Sequence, residues 1–285
     1  MEQGARDCTI TKLSSHTGAE VRGVDLGRPL DNDTGTRLIQ AFVEHSVLCI
    51  RDQKLSAPQF LGAMQVFGEI FPQHNPRFAV PECPLIHYIS NQDTLEDGRV
   101  YIPGEGYHTD HSNDAIPPKA TALHAVQLPA SGGDTQFINM EQAYTTLPES
   151  TRRRIDGLKA RHVYQSRYSE RKLPQLAGER RKTIGTTSVI HPLVRTHPET
   201  GRKAIYINPI RIEEIIGLET PEALAVLDEL LAHSTELRFE YRHKWRPGDV
   251  LIWDNRCLLH KANGDYPVSE LRYLYRLMLK GEKAV

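Results

Sequence analysis

The chain has 285 residues, of which 39% are hydrophobic, and a formal net charge of −1 at pH 7. This length and composition allow a sizeable core, and no apolar run approaches the length that spans a bilayer. A net charge near zero provides no global field that would recruit nucleic acid or an anionic membrane, so we expect neither as a partner.

The cysteines are few and scattered, and no two of them form a Cys-x-x-Cys spacing. A zinc site or a disulfide framework would show closer and more regular spacing. The distribution is typical of reduced thiols, and no leader pattern opens the chain, so we predict a cytoplasmic protein. The cysteines are Cys8, Cys49, Cys83 and Cys257.

The first half of the chain alternates short apolar runs with turn residues, which predicts strands interrupted by a few helices. Ser56 is placed to cap one helix, with Pro58 in its first turn. The predicted elements are a strand or hairpin over 9–24, a helix over 31–45, a strand over 47–50, the helix after Ser56, strands over 85–90, 119–128 and 136–139, and an amphipathic helix over 148–163.

The second half is predicted to be richer in strands. A turn with Pro and Gly over 197–201 joins two β-rich runs into a hairpin, and Thr220 caps a helix with an apolar stripe of leucines. The predicted strands are 189–195, 203–208, 239–245, 250–253, 257–260 and 272–279. Many short strands with a few flanking helices predict a mainly β fold, a jelly roll or barrel. No composition break marks a second domain, so residues 1–285 are expected to form a single domain.

Residues 165–188 form a long polar stretch in which basic side chains outnumber acidic ones. A long segment without predicted structure inside a compact domain is usually a lid or a mobile loop. Two interpretations stay open here, a lid that closes over a site and a solvated loop.

His108 and Asp110 are separated by one residue, so in an extended segment their side chains point to the same face. An imidazole and a carboxylate on one face can take adjacent positions on a divalent metal ion. The best candidate for a third ligand is His260. Two histidines and one carboxylate form the facial triad of non-haem Fe(II) oxygenases, which leaves positions open for small molecules. The alternative for a His-x-Asp pair alone is a polar loop with a hydrogen-bonded histidine.

The last predicted strand carries Arg272 and Arg276 on one face, and tyrosines and leucines on the other. If the apolar face packs outward, the two arginines point into the barrel, where a charge needs an anionic partner. They lie about 13 Å apart at ~3.3 Å per residue, so they can bind two different anions. The alternatives are internal Asp or Glu partners, or an exposed edge strand.

Several motifs fall in the order seen in one enzyme family. The chain resembles the taurine dioxygenase and 2,4-dichlorophenoxyacetate dioxygenase family of Fe(II)/2-oxoglutarate-dependent oxygenases, from about residue 18 to residue 281. The motifs are His108-Thr109-Asp110, Gly132-Gly133-Asp134-Thr135, His191-Pro192 through His197-Pro198, Gly248-Asp249, Trp253-Asp254-Asn255-Arg256, His260, Arg272 and Arg276.

The resemblance implies a double-stranded β-helix, a cupin-like jelly-roll barrel with helices outside. It implies Fe(II) held by His108, Asp110 and His260, and O2 and 2-oxoglutarate as cosubstrates. It also implies that Thr135 and Arg272 bind the distal carboxylate of 2-oxoglutarate.

The resemblance also concerns the substrate. Arg276 lies where the taurine enzyme binds the anion of its substrate, and His74 falls near a substrate-contacting histidine of that enzyme. Gly104 replaces an asparagine that contacts taurine, and His111 replaces a small apolar residue after the iron-binding Asp. We therefore expect a small anionic organic substrate that is more polar than taurine, with Arg276, His111 and His74 in its pocket.

The reaction that the resemblance implies converts 2-oxoglutarate to succinate and carbon dioxide while the substrate is oxidised, by hydroxylation in the simplest case. Two alternatives stay open. One is a biosynthetic oxidase that performs desaturation or ring closure on an amino-acid-like compound, and the other is a non-catalytic cupin-like protein that binds a metal or a small acid. The sequence does not decide between a monomer and a homo-oligomer.

Overall fold

The structure is a computed structural model that describes residues 8–73, 75–169, 176–177 and 187–285. The strands in this part of the chain are β1 (Thr9–Lys12), β2 (Ala19–Arg22), β3 (Val47–Ile50), β4 (Ala79–Val80), β5 (Cys83–Ser90), β6 (Ala120–Gln127), β7 (Thr135–Asn139), β8 (Lys159–Val163), β9 (Ser188–Pro192), β10 (Val194–Thr196), β11 (Lys203–Ile205), β12 (Ile212–Ile215), β13 (Glu240–His243), β14 (Val250–Asp254), β15 (Leu258–Ala262) and β16 (Tyr273–Leu279). The helices are α1 (Asn32–His45), α2 (Ala57–Met64), α3 (Met140–Thr146), α4 (Glu149–Ile155) and α5 (Thr220–Ser234), with short 3-10 turns at Gln65–Phe67, Pro76–Phe78 and Leu237–Phe239.

One large sheet and several small ones build the barrel. The large sheet has eight strands in the order β1-β2-β3-β14-β6-β16-β5-β4. Two three-stranded sheets have the orders β13-β7-β15 and β12-β8-β9, and β10 pairs with β11. Most neighbours are antiparallel, although β2 and β3 run parallel. This is the mainly β jelly roll with flanking helices that the sequence predicts.

The two faces of the large sheet bury different side chains, because residues alternate along a strand. In β14, Leu251 and Trp253 join the core cluster that also contains residues of β7 and β15. Their neighbours Val250 and Ile252 join a second cluster, together with Leu38 of α1 and Phe60 of α2. The barrel interior therefore lies on one face of the sheet and α1 and α2 cover the other.

Local capping signals place the first two helices as predicted. Asp31 precedes α1, and its side chain accepts a hydrogen bond from the backbone of Thr34. Ser56 and Gln59 form a reciprocal capping box at the start of α2, with a proline in its first turn. Each such bond satisfies a backbone N–H that has no partner inside the helix.

The single helix predicted over 148–163 is wrong. The segment contains α4 and then β8, and Gly157 between them has φ +83°, a left-handed conformation that ends the helical path. In β8, buried Ala160 and His162 alternate with more exposed neighbours. This period of two is typical of a strand, and pairing with β9 and β12 stabilises it over the helix that the basic residues suggested.

Further differences are smaller. The predicted hairpin is present between β10 and β11, but the single strand predicted over 189–195 is two strands in the structure, β9 and β10. Glu219, and not Thr220, is the N-cap residue of α5, and the buried face of the helix contains Ala223, Val226 and Leu230. The strand β12 and the helix α3 were not predicted.

All four cysteines are free thiols, as the sequence predicts. Within the described part of the chain, no helix combines the length and the apolar character needed to cross a membrane. The predicted lid over 165–188 lies mostly outside the described residues, which include only 165–169, 176–177 and 187–188 of it.

Candidate functional site

His108 and His260 face each other across an isolated antiparallel β-bridge. The backbone N–H of His108 donates to the carbonyl of His260 at 3.0 Å, and the reverse bond is 2.8 Å long. Side chains of directly opposed residues stand on the same face, and the two imidazole centroids are 4.3 Å apart. Because β15 also pairs with β7, the bridge connects His108 to the barrel wall.

Asp110 brings its carboxylate to the same point. Its oxygens lie 3.9 Å from Nε2 of His108 and 3.8 Å from Nε2 of His260. The three side chains form one of the groups whose ligand atoms all lie within 4.8 Å of one another. The predicted same-face relation of His108 and Asp110 and their proximity to His260 are therefore present in the fold.

The protonation of these groups suits a divalent metal ion. The Nδ1 atom of His108 is 2.9 Å from the carbonyl of Gly106, which only accepts, so Nδ1 carries a proton and Nε2, 3.9 Å from the Asp110 carboxylate, is the nitrogen that faces the cluster. Burial lowers the pKa of His260 to about 3, which keeps its imidazole neutral. Burial alone would raise the pKa of Asp110, but the charge of Arg276 beside it holds that pKa well below its usual range. Two imidazoles and one carboxylate are a donor set that fits Fe(II).

Arg276 of β16 lies at the edge of this cluster. Its Nη2 is 3.1 Å from Oδ1 of Asp110, and its Nη1 donates to Oε1 of Gln73 at 3.0 Å. The amide of Gln73 also donates to the backbone carbonyl of Arg276 at 3.1 Å. Of the partners that the sequence left open, the structure places an internal carboxylate beside Arg276, and that carboxylate belongs to Asp110.

Arg272 is buried in a different way. It is 4% exposed, its Nε donates to the carbonyl of Gly133 at 3.1 Å, and its guanidinium lies 5.9 Å from the centre of the Trp245 ring. Among the described residues, no carboxylate lies within ion-pair distance of it. Burial lowers the pKa of Arg272 to about 10, because no close anion offsets the lost hydration. The site therefore holds a buried cation that an anion would stabilise.

Thr135, the first residue of β7, lines the same cavity as Arg272. The indole N–H of Trp245 donates to its hydroxyl oxygen at 3.0 Å, so the hydroxyl proton is directed elsewhere. The preceding turn leaves room for Arg272 only because Gly133, at φ +71°, has no Cβ: one would lie 3.0 Å from the Nε atom of Arg272.

A cavity of about 260 Å³ connects these groups. The metal-type cluster and the arginines lie on its walls, and so do aromatic and polar side chains from three loops. The volume suits small molecules and not a polymer segment. The loop residues on its walls include Tyr101, Gly104, His111, Tyr164, Gln165 and Arg211.

The remaining predicted substrate residues have different outcomes. His111 lines the cavity in a left-handed conformation, with φ +46°, and its Nδ1 lies 3.5 Å from a carboxylate oxygen of Asp114. His74 lies outside the described residues. Apart from His74, all of the residues that the sequence placed in the site line this one cavity.

Several side chains of the site were not predicted. Gln73 lies in a loop that proline interrupts. Tyr164 lies between the helix predicted over 148–163 and the lid predicted over 165–188, and Arg211 lies between the strand predicted over 203–208 and the helix predicted from Thr220. Trp245 lies at the end of a predicted strand, and the sequence pattern of that strand does not predict its contact with Thr135. Tyr164 and Arg211 line the cavity, whereas Gln73 and Trp245 contact Arg276 and Thr135. Only long-range packing brings these side chains to the site, so no local pattern identifies them.

A family model described as "Taurine catabolism dioxygenase TauD, TfdA family" matches residues 9–278. The chain belongs to this family. It is 33% identical over 270 residues to the alpha-ketoglutarate-dependent 2,4-dichlorophenoxyacetate dioxygenase of Cupriavidus pinatubonensis, covering 90% of this chain and 92% of that protein. Pentalenolactone F synthase of Streptomyces arenae is 32% identical over 259 residues, with 85% of each chain covered. A crystal structure of a taurine dioxygenase from Burkholderia xenovorans has a TM-score of 0.79 at 34% identity, covering 98% of this chain and 92% of that one.

Membership of the TauD, TfdA family confirms the class predicted from the motifs. The protein is an oxidoreductase, a dioxygenase that depends on alpha-ketoglutarate, which is another name for 2-oxoglutarate. Its cofactor is Fe(II), and its cosubstrates are 2-oxoglutarate and O2, as the sequence predicts. The structural similarity also confirms the predicted jelly roll.

His162 of β8 is a buried histidine next to Ser112, the residue that follows His111 in the chain. The Nδ1 atom of His162 lies 3.0 Å from the hydroxyl of Ser112, and its ring lies 5.3 Å from that of His191. Burial lowers the pKa of His162 to about 3, and the nearby His191 adds to the shift. The folded protein therefore keeps this imidazole neutral well below the pH at which a solvated histidine takes a proton.

We expect this burial to make the protein sensitive to acid. The folded-state pKa of His162 is below its unfolded value, so its contribution to stability is present above about pH 6.5 and declines as pH falls toward 3. In urea unfolding at several pH values between about 8 and 5, the free energy of unfolding of His162→Gln should fall less steeply than that of the wild type, by up to about 1.4 kcal/mol per pH unit. Parallel pH profiles for the two proteins would show that His162 does not contribute.

Proposed function

We propose that this enzyme oxidises a small anionic organic compound by hydroxylation, with release of succinate and carbon dioxide. The observation that carries the proposal is the pairing of two features in one cavity. One is the cluster of two imidazoles and a carboxylate, and the other is the buried guanidinium of Arg272, which has no carboxylate partner among the described residues.

In this proposal His108, Asp110 and His260 hold the iron. Their side chains meet from two segments that backbone hydrogen bonds join, and burial lowers the pKa of His260 to about 3, which keeps that imidazole neutral near pH 7. Bound Fe(II), together with 2-oxoglutarate and O2, supplies the oxidising power that removes hydrogen from a substrate carbon. The protein contributes the fixed positions of the ligands and a charge partner for each anion that enters.

The cosubstrate carboxylate is assigned to Arg272 and Thr135. The guanidinium is buried and oriented by Gly133, and the Thr135 hydroxyl still has a proton to donate. One carboxylate of a bound dicarboxylate would accept hydrogen bonds from the guanidinium of Arg272. A hydrogen bond between two charged groups is strong in a site without water.

The substrate anion is assigned to the opposite part of the cavity, with Arg276 as its charge partner and His111 beside it. His74 is kept in this proposal on the resemblance alone. Arg276 and Arg211 both line the cavity, so its wall favours a negative group. Dichlorophenoxyacetate and taurine, the compounds in the names of two similar proteins, are a carboxylate and a sulfonate.

Product analysis distinguishes the remaining alternative. The similarity to a pentalenolactone F synthase supports a biosynthetic oxidase as the second candidate. A screen of succinate release over sulfonates, aryloxyalkanoates, sulfate esters, phosphonates and amino acids finds the substrate class. Mass analysis then separates a product that has gained oxygen from one that has only lost hydrogen.

Asp110→Ala should abolish Fe(II)-dependent turnover and weaken Mn(II) binding, because it removes the one charged ligand. Metal affinity is measured by Mn(II) electron paramagnetic resonance, and folding by circular dichroism. Asp97→Ala is the matched control, since Asp97 is a surface residue that pairs with Arg99. Full activity and unchanged Mn(II) affinity in Asp110→Ala would remove the metal assignment.

Arg272→Ala should weaken 2-oxoglutarate binding by about 2–5 kcal/mol, because a desolvated carboxylate loses its cation. Thr135→Ala should have a smaller effect, about 1.5–3 kcal/mol, since it removes one hydrogen bond to a charged group. Both are measured by titrating 2-oxoglutarate into the Mn(II) form under nitrogen. An Arg272→Ala variant with the wild-type dissociation constant would transfer the role to another residue.

Arg276→Leu should weaken binding of the acidic substrate found in the screen and have little effect on its uncharged amide. The two compounds are compared by substrate titration of the Mn(II) and 2-oxoglutarate complex. Because Arg276 also contacts Asp110, Mn(II) affinity is measured in the same variant. Equal losses for acid and amide would assign Arg276 to the support of Asp110 and not to the substrate.

A further inference from the structure

Asp110 is held by a chain of buried side chains that starts at an indole ring. The Nε1 of Trp253 donates to Oδ1 of Asn255 at 3.1 Å, Nδ2 of Asn255 donates to the hydroxyl of Thr121 at 2.9 Å, and that hydroxyl donates to Oδ2 of Asp110 at 2.6 Å. Each of these side chains is buried, and Thr121 is 0% exposed. Water therefore does not compete with these bonds.

The direction of every bond in this chain is determined by its first member. An indole N–H only donates, so the amide oxygen of Asn255 faces Trp253 and its NH2 group faces Thr121. The Thr121 hydroxyl oxygen accepts this bond with one lone pair, and its proton is directed to the Asp110 carboxylate, which only accepts. The alternative amide orientation would bring two donors together at Trp253.

The strand pairing explains why these groups meet. Trp253 of β14 lies directly opposite Thr121 of β6 in the antiparallel ladder, so their side chains share a face. Asn255 follows two residues after Trp253, and its backbone N–H donates to the carbonyl of Lys119 at 2.8 Å. Its own carbonyl accepts a hydrogen bond of 2.8 Å from the hydroxyl of Thr109, the residue between the two predicted ligands His108 and Asp110.

An aspartate needs such support if it is to bind a metal in one orientation. The terminal torsion of a carboxylate has a broad energy minimum, so the side chain alone does not define where its lone pairs point. Thr121 holds Oδ2 from one side and Arg276 approaches Oδ1 from the other. Groups that orient a metal ligand in this way commonly change metal affinity when they are replaced.

We infer that Thr121, Asn255 and Trp253 form a positioning relay that sets the orientation of Asp110 as a metal ligand. The inference rests on the proposed metal-binding role of Asp110. In this relay the three residues act through the carboxylate of Asp110. The ring of Trp253 also lines the cavity, with its centroid 4.7 Å from that of His260. Thr121 is the member that determines metal affinity, because it alone contacts that carboxylate.

The test compares Thr121→Val, which keeps the shape but removes the hydroxyl, with Thr121→Ser, which keeps the hydroxyl. Mn(II) is titrated into the metal-free protein by electron paramagnetic resonance, and the visible absorption bands of bound Co(II) report the ligand geometry. We expect Thr121→Val to raise the Mn(II) dissociation constant about 10–100-fold and to shift the Co(II) bands. Thr121→Ser should restore both readouts close to wild type.

Thr151→Val is the matched control. Thr151 is also a buried threonine whose hydroxyl donates to a carboxylate, that of Glu229 at 3.2 Å, but it belongs to α4 and not to the cavity. It should lose stability in thermal unfolding with no change in Mn(II) affinity. If Thr121→Val does not fold, Asn255→Ala gives the same information, since it removes the donor that orients Thr121 and should also weaken Mn(II) binding.

The outcomes separate this inference from the proposed function. Wild-type Mn(II) affinity and Co(II) bands in Thr121→Val, or in Asn255→Ala where that variant is used, would overturn the relay, as would a Thr121→Ser variant as weak as Thr121→Val. If Asp110→Ala loses Mn(II) in the same assay, only the relay has failed. If Asp110→Ala also binds Mn(II) like wild type, the metal assignment itself is overturned.

Discussion

The pair of backbone hydrogen bonds between His108 and His260 is the contact on which the site depends. His108 belongs to a loop, and a loop side chain has many positions open to it. The bridge holds the backbone of His108 beside that of His260, as in a pair of strands. Because β15 is itself paired with β7, this fixes His108 against the barrel wall. Asp110 follows two residues after His108, so one local constraint places two of the three proposed ligands.

Buried arginines divide into two groups in this fold. Arg51, Arg195 and Arg256 each pair with a carboxylate that is distant in the sequence. These partners are Asp249, Glu282 and Glu199, respectively. Arg272 is as deeply buried but has only a backbone carbonyl and an aromatic face, among the described residues. Since burial of an unpaired charge is unfavourable, the first group supports the architecture, whereas Arg272 fits the role proposed for it, binding an anionic ligand.

Much of this was accessible from the sequence. Apolar alternation and capping residues predicted most strands and helices, and the spacing of His108 and Asp110 predicted a shared face. Arg272 and Arg276 were predicted to share one face of the last strand from a period of two alone. These features depend on neighbours within a few residues, where backbone geometry limits the possibilities.

The rest depended on contacts between distant segments. The helix predicted over 148–163 was wrong because the pairing of β8 with β9 and β12 outweighs helical propensity. The position of Arg276 beside Asp110, the contact of Trp245 with Thr135, and the direction of the Asn255 amide all require the packed barrel. No local pattern relates His260 to His108, so the order of the motifs along the chain was needed to predict that the two lie together.

The residues around the cavity come from two kinds of structure. Thr135, His260 and Arg276 lie on strands, and Arg272 immediately precedes one, whereas Tyr101, Tyr164 and Arg211 lie in connecting loops. Loops tolerate substitutions and insertions that strands do not. Selection can therefore alter which molecule enters while the oxidising machinery stays intact, so a scaffold of this kind acquires new substrates more readily than new chemistry.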